Sequence, residues 1–133
     1  MFENLLLLIC DEFLSTDELQ FGFKRGMGCT EAIFALRTTI NHFTNNGSSV
    51  FMASLDIKKA FDSVVHNKLF DSLLQAGIPS PIVSLLENWY SKLLVKVRWG
   101  SCFSYCFSVT SGVRQGSVLS PSLFNIFINL FIV

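Results

Sequence analysis

Apolar and polar positions alternate along the chain at two periods, one helical and one extended. Leu5 to Cys10 is an unbroken apolar run of six residues inside what reads as an N-terminal helix. Phe21 to Thr30 is Gly-rich and basic and reads as a loop, with Thr30 placed to cap a helix whose positions Ile33, Leu36, Ile40 and Phe43 recur at helical spacing. Asn45-Asn46-Gly47 signals a turn, and Val50 to Ile57 then reads as a largely buried strand bearing Asp56 at its C-terminal end. A helix is expected from about Ser63 to Ala76, ended by Gly77 and Pro79. Ser80-Pro81 opens the next, with the stripe Ile82, Leu85, Leu86, Trp89 and Tyr90. Val95, Val97 and Trp99 then alternate with Lys96 and Arg98. Gly100-Ser101 turns the chain, and Phe103, Tyr105, Phe107 and Val109 alternate with small or polar residues, which is a hairpin signal. Ser120-Pro121 starts a last, strongly apolar helix. This order predicts an α+β domain with a largely antiparallel sheet.

Composition narrows the class. The 133 residues suffice for one domain, half of them are hydrophobic, 14 are Phe and only 15% are charged. That is apolar for a free-standing soluble domain and suits a piece of a larger body. Net charge is zero, so no global basic signature marks a nucleic-acid binder. The charge is uneven: the first twenty residues carry Glu3, Asp11, Glu12, Asp17 and Glu18 and no base, whereas from Phe21 onward ten bases face five acids. The second stretch fits either a polyanionic partner or ordinary solvated charge. Cys10, Cys29, Cys102 and Cys106 form no CxxC pair and have no His at metal spacing, which points to reduced thiols. The apolar runs are too short for a signal peptide or a membrane span. Nothing marks a compartment, and an intracellular setting, nucleus or cytoplasm, is expected.

Few residues are placed for chemistry. A carboxylate where a buried strand meets a loop, as at Asp56, can hold Mg²⁺ against substrate phosphates, or it can simply cap the helix that follows. Gly112-Val113-Arg114-Gln115-Gly116-Ser117 is a polar turn flanked by glycines, in which Gln115 offers both a donor and an acceptor; as a plain turn before a capped helix it needs no ligand. Lys24, Arg25 and Arg114 could meet phosphates or only solvent, and Lys58, Lys59, Lys96 and Arg98 could extend such a track. His42 and His66 have no nucleophile or metal partner beside them and read as structural. No GxSxG, HExxH or Walker loop is present.

Leu55-Asp56-Ile57-Lys58-Lys59-Ala60-Phe61-Asp62-Ser63-Val64, together with Gly112 to Pro121 and Leu123-Phe124-Asn125-Ile126, resembles two conserved blocks of reverse transcriptases, in the version carried by non-LTR (LINE-like) retrotransposons. Gln20-Phe21-Gly22-Phe23-Lys24-Arg25-Gly26 resembles a third, in the fingers region, and the likeness runs from about Phe2 to Asn129. It implies one partial domain over residues 1–133, a fingers and palm portion of a right-hand polymerase with an incomplete antiparallel sheet flanked by helices. The upstream finger blocks and the downstream Tyr-x-Asp-Asp hairpin would be missing. By this resemblance Asp56 is the catalytic residue and Mg²⁺ ligand, helped by the backbone carbonyl of Ile57. Phe61 lies beneath the nucleotide sugar and favours dNTPs, Gln115 and Gly116 contact the incoming nucleotide, and Lys24, Arg25 and Arg114 face nucleic acid. Asp62 is typical of the non-LTR version without being a metal ligand, and an N-cap for the following helix fits it equally well.

The sequence departs from the family pattern in three places. Met27 stands where many relatives carry a base, Ile128-Asn129-Leu130 where they usually read Ile-Asn-Asp, and no Asp-Asp pair occurs anywhere. The implied chemistry is Mg²⁺-dependent addition of dNTPs to a DNA primer on an RNA template, with these residues inactive alone because one carboxylate cannot organise two cations. The alternatives are a non-catalytic module that binds RNA or an RNA–DNA hybrid, a fragment that associates with other polymerase segments or with itself through exposed apolar surface, and a relic without function.

Overall fold

Helical periodicity becomes structure wherever it finds a partner. In the computed structural model, which describes residues 1–24 and 26–129, α1 (Phe2–Cys10) leads through a single 3-10 turn (Asp11–Phe13) and a loop to α2 (Cys29–Asn45). Then come α3 (His66–Gln75), α4 (Ser80–Ser91), four two-residue strands and α5 (Ser120–Asn129). The expected role of Arg25, and the departure at Leu130, lie outside the described residues.

The core centres on α3, which packs on both α4 and α5. Leu69 and Leu73 are fully enclosed, and Val83, Leu86, Leu123 and Ile126 close on them from the two neighbours. Leu6 and Cys10 bring α1 into the same cluster. α3 ends as its sequence suggests. Gly77 takes φ +88 and donates to the carbonyl of Leu74, while buried Ile78 donates to that of Leu73, the paired bonds of a Schellman stop.

The strands form one interrupted hairpin. β1 (Leu94–Val95) pairs antiparallel with β4 (Phe107–Ser108), and β2 (Arg98–Trp99) with β3 (Cys102–Phe103). The register shifts by one residue between the two ladders, so two residues on one arm face three on the other, as in a bulge. Ser104 fills this gap: its amide donates to the carbonyl of Val97, and its hydroxyl accepts from the Val97 amide. Gly100 has φ +60 at the first loop position, a left-handed conformation that glycine adopts at no steric cost.

Helices with small antiparallel strands agree with the α+β expectation, but several local expectations fail. Residues 50–57 form no strand and are exposed, with Phe51 and Leu55 almost wholly so. A strand needs an edge to pair with, and the short strands among the described residues pair with one another. The apolar stripe of α2 likewise finds no partner: the helix buries no residue, and Ile33 is 64% exposed. Thr30 is not its cap, since α2 starts one residue earlier behind Gly28. α3 starts at His66 behind Val65, so Asp62 is not an N-cap. It is instead drawn to a distant glutamine.

Candidate functional site

Two segments far apart in sequence are sewn together by main-chain bonds. The amide of Gly112 donates to the carbonyl of Val64 at 2.7 Å, that of Val113 to Phe61 at 2.9 Å, and Val65 and Ser111 form a bridge. The Nε2 atom of His66, carrying the proton, donates to the carbonyl of Gly112 at 2.9 Å. Gly112 permits this seam. Its φ is +90, and a Cβ there would lie 3.0 Å from both Asp62 Cα and the Phe61 carbonyl. The seam carries Phe61 and Asp62 up to the turn at residues 114–116.

A cleft of about 380 Å³ opens there, lined by Phe61, Arg114, Gln115, Gly116, Ser117, Val118, Ser120 and Pro121. Phe61 is held from two sides: it stacks on Phe124 of α5 at 4.7 Å between ring centroids and meets Phe23 edge-on at 5.6 Å. Phe23 comes from the Gly-rich loop, which buried Asn125 ties to α5. The Asn125 side-chain nitrogen donates to the carbonyl of Gly22 at 3.0 Å, and its oxygen accepts from Gln20 at 2.8 Å. Gln115 also lines a neighbouring cavity of about 370 Å³ together with Asp62, and its Nε2 donates to Asp62 Oδ1 at 3.0 Å.

Sequence reasoning missed the residue that shapes the turn. Glu3 of α1 accepts from the Ser117 hydroxyl at 2.8 Å and the Val118 amide at 2.9 Å, and its other oxygen lies 3.5 Å from the Arg114 guanidinium. Arg114 also lies over the Trp89 ring, 5.2 Å from its centroid. Contacts across more than a hundred residues leave no local pattern; the one hint in the sequence is an acid in the first turn of a mostly apolar helix. Burial raises the Glu3 pKa, but the bonds from Ser117 and Val118 and the charge of Arg114 outweigh it, so the net shift is downward. The sign follows from linkage. A depressed folded pKa stabilises the protein above the ordinary carboxylate range, and that stability is lost as pH falls through the folded value. Glu3→Gln is therefore expected to cost about 1 kcal/mol at neutral pH. In urea titrations across pH, the deficit should shrink to nothing in acid; a constant deficit at every pH would contradict the latch.

The structure thus gathers Phe61, Gln115, Gly116 and Arg114 around one cleft and leaves the other expected residues elsewhere. Asp56 is exposed, is not part of the lining, and makes no hydrogen bond or ion pair with another described residue. Leu55 and Ile57 line a separate apolar cavity of about 550 Å³ with Phe124, Phe127 and Ile128. Mg²⁺ demands about six oxygens in near-octahedral array. Among the described residues no three His, Cys, Asp or Glu side chains gather as a metal site, so Asp56 and the Ile57 carbonyl alone do not fit a complete one. Lys24 is half-buried and donates to the carbonyl of Asp17 at 3.2 Å, a bond within its own loop. No helix among the described residues is long and apolar enough to cross a membrane.

Comparison with known proteins adds the family dimension. Residues 3–132 match the family model described as reverse transcriptase (RNA-dependent DNA polymerase). The chain is 32% identical over 113 residues, 85% of its length, to a Drosophila melanogaster protein, the retrovirus-related Pol polyprotein from the type-2 retrotransposable element R2DM, covering 11% of that protein. It is 34% identical over 109 residues to a probable RNA-directed DNA polymerase from the Drosophila melanogaster transposon X-element, covering 82% of this chain and 12% of the relative. A Xenopus laevis protein, the transposon TX1 uncharacterized 149 kDa protein, is 32% identical over 102 residues, 75% of this chain and 8% of its own length. The chain therefore spans about a tenth of the length of the curated relatives it matches. No solved structure matches.

Proposed function

This chain belongs to the reverse transcriptase (RNA-dependent DNA polymerase) family, with relatives in non-LTR retrotransposons, and on that premise we propose that it supplies the nucleotide-facing part of an RNA-directed DNA polymerase, drawn from its fingers and palm. The observation that carries this reading is the convergence of Phe61, Gln115 and Gly116 on one cleft from segments more than fifty residues apart. In the reading, the sugar of an incoming dNTP lies against the Phe61 ring. That ring is braced by Phe23 and Phe124 and cannot retreat to admit a 2′-hydroxyl. Gln115 reaches the nucleotide by hydrogen bonding, and Gly116, exposed and at φ +81, lets its backbone approach closely.

Asp56 and the Ile57 carbonyl would form one side of a Mg²⁺ site that activates the primer hydroxyl, with further carboxylates coming from beyond these residues. By themselves, then, the 133 residues hold nucleotide and hybrid without polymerising. Arg114 serves the cleft indirectly in this scheme, since Glu3 and Trp89 already hold its guanidinium. Lys24 and Arg25 remain for the template backbone. A binding-only role for RNA or an RNA–DNA hybrid draws on the charge and aromatic pattern of the hairpin: the stretch from Asn88 to Asn129 has no acid, and the Arg98 guanidinium lies over the exposed Phe103 ring, 5.7 Å from its centroid. The bare apolar faces of α2 and of residues 50–57 favour association with other polymerase segments or with a second copy.

The test is a competition assay with the chain, Mg²⁺ and a poly(rA)–oligo(dT) hybrid, comparing dTTP with UTP. The chain should favour dTTP, and Phe61→Val should narrow the difference by roughly tenfold, the scale of one misfitting group in a pocket. Equal affinity for dTTP and UTP in the unaltered chain would sink the reading.

A further inference from the structure

Glutamine has two nearly isosteric ends of opposite character, one accepting and one donating two hydrogens. A site that reads a ligand through glutamine must therefore decide which end faces it. In this cleft the decision is built in. Gln115 Nε2 lies 3.0 Å from Asp62 Oδ1, and an ionised carboxylate can only accept, so the nitrogen end must face Asp62. The backbones that carry these two side chains are tied together. The Gly112–Val64 and Val113–Phe61 main-chain bonds hold the two backbones side by side, so close that even a Cβ at position 112 would crowd Asp62.

We propose that Asp62 is a positioning residue that sets the polarity of the cleft: it holds Gln115 in one amide orientation, so that Oε1, an acceptor, is the end left for a ligand. The cleft then reads a donor on its ligand. On the nucleotide reading above, on which this inference rests, that donor is a hydroxyl of the sugar lying against Phe61. Asp62 touches neither ligand nor metal in this scheme and acts only through Gln115. Both residues are exposed, so water competes for their bond. Charge assistance and the rigid seam beneath them hold it in place.

The test has two readouts. The chain contains only three glutamines, Gln20, Gln75 and Gln115, which makes side-chain amide signals easy to assign in a ¹⁵N-labelled sample. Gln75 is exposed and serves as the free reference. The Gln115 side-chain amide should exchange with solvent about tenfold more slowly than that of Gln75, the scale of one hydrogen bond to a charged acceptor, and Asp62→Leu should abolish the difference. The second readout is the affinity for dTTP relative to its 3′-deoxy analogue, measured with the hybrid and Mg²⁺. The unaltered chain should prefer dTTP by roughly tenfold. Asp62→Asn, which keeps the shape but can donate as well as accept, lets the amide flip and should bring the ratio near one. Circular dichroism should be unchanged in both variants.

A Gln115 amide that exchanges as fast as Gln75 in the unaltered chain overturns the proposal, and so does an Asp62→Asn variant that keeps the full preference for dTTP. If the unaltered chain binds neither nucleotide, the nucleotide reading falls, and amide exchange alone then decides whether Asp62 holds Gln115.

Discussion

Gly112→Ala is expected to cost about 3 kcal/mol or more and to dismantle the cleft with the fold, because two penalties fall on one atom. The first is conformational. Gly112 has φ +90, and a side chain in that region costs about 1–2 kcal/mol. The second is steric. The new Cβ would stand 3.0 Å from Asp62 Cα and from the Phe61 carbonyl, and 3.2 Å from the Asp62 carbonyl. All three are main-chain atoms and cannot rotate away. Relief requires opening the seam, which gives up the bonds to Val64 and Phe61 and the His66 contact. Gly22→Ala is the control, since nothing lies within 4 Å of its Cβ position and its φ is ordinary. Urea midpoints should separate the two variants widely. If Gly112→Ala melts beside Gly22→Ala, the seam does not bear on stability.

Leu69→Ala should be similarly severe, at about 3–5 kcal/mol, because a fully buried leucine leaves a cavity that rigid neighbours cannot fill. Leu69 is 0% exposed on the helix that packs against both α4 and α5. The informative comparison is Ile33→Ala on α2. From the sequence, Ile33 and Leu69 are alike, each an apolar residue on a helical stripe. In the structure Ile33 is 64% exposed, and its loss should change stability by no more than about 0.5 kcal/mol. Comparable losses at the two positions would show that α2 docks onto the body in solution.

The contrast between these residues explains what could be read early. Gly77 with Pro79 and Gly100 with Ser101 announced a helix stop and a hairpin turn, and both occur, because a positive φ is a property of one residue and its immediate neighbours. The pairing of Phe61 with Gln115 in one site came from family resemblance, and the cleft brings them together. The buried strand at residues 50–57 did not materialise, because burial belongs to a pair of surfaces and the apolar run states only one of them. The role of Glu3 is silent in the sequence for the same reason. Its partners Ser117 and Val118 lie more than a hundred residues away, and nothing near Glu3 in the chain speaks of them.

Helices α3, α4 and α5, the turns that end them and the family likeness were legible in the amino-acid sequence. Each of these follows from local periodicity, local backbone freedom or matched motifs. Which apolar stripes become core, that Asp62 turns to Gln115 and does not cap a helix, and that Glu3 fastens the turn beside the cleft emerge only once the chain is folded. Those outcomes depend on which distant surfaces meet, and the free energy of burying a face or satisfying a carboxylate is set by the partner as much as by the residue.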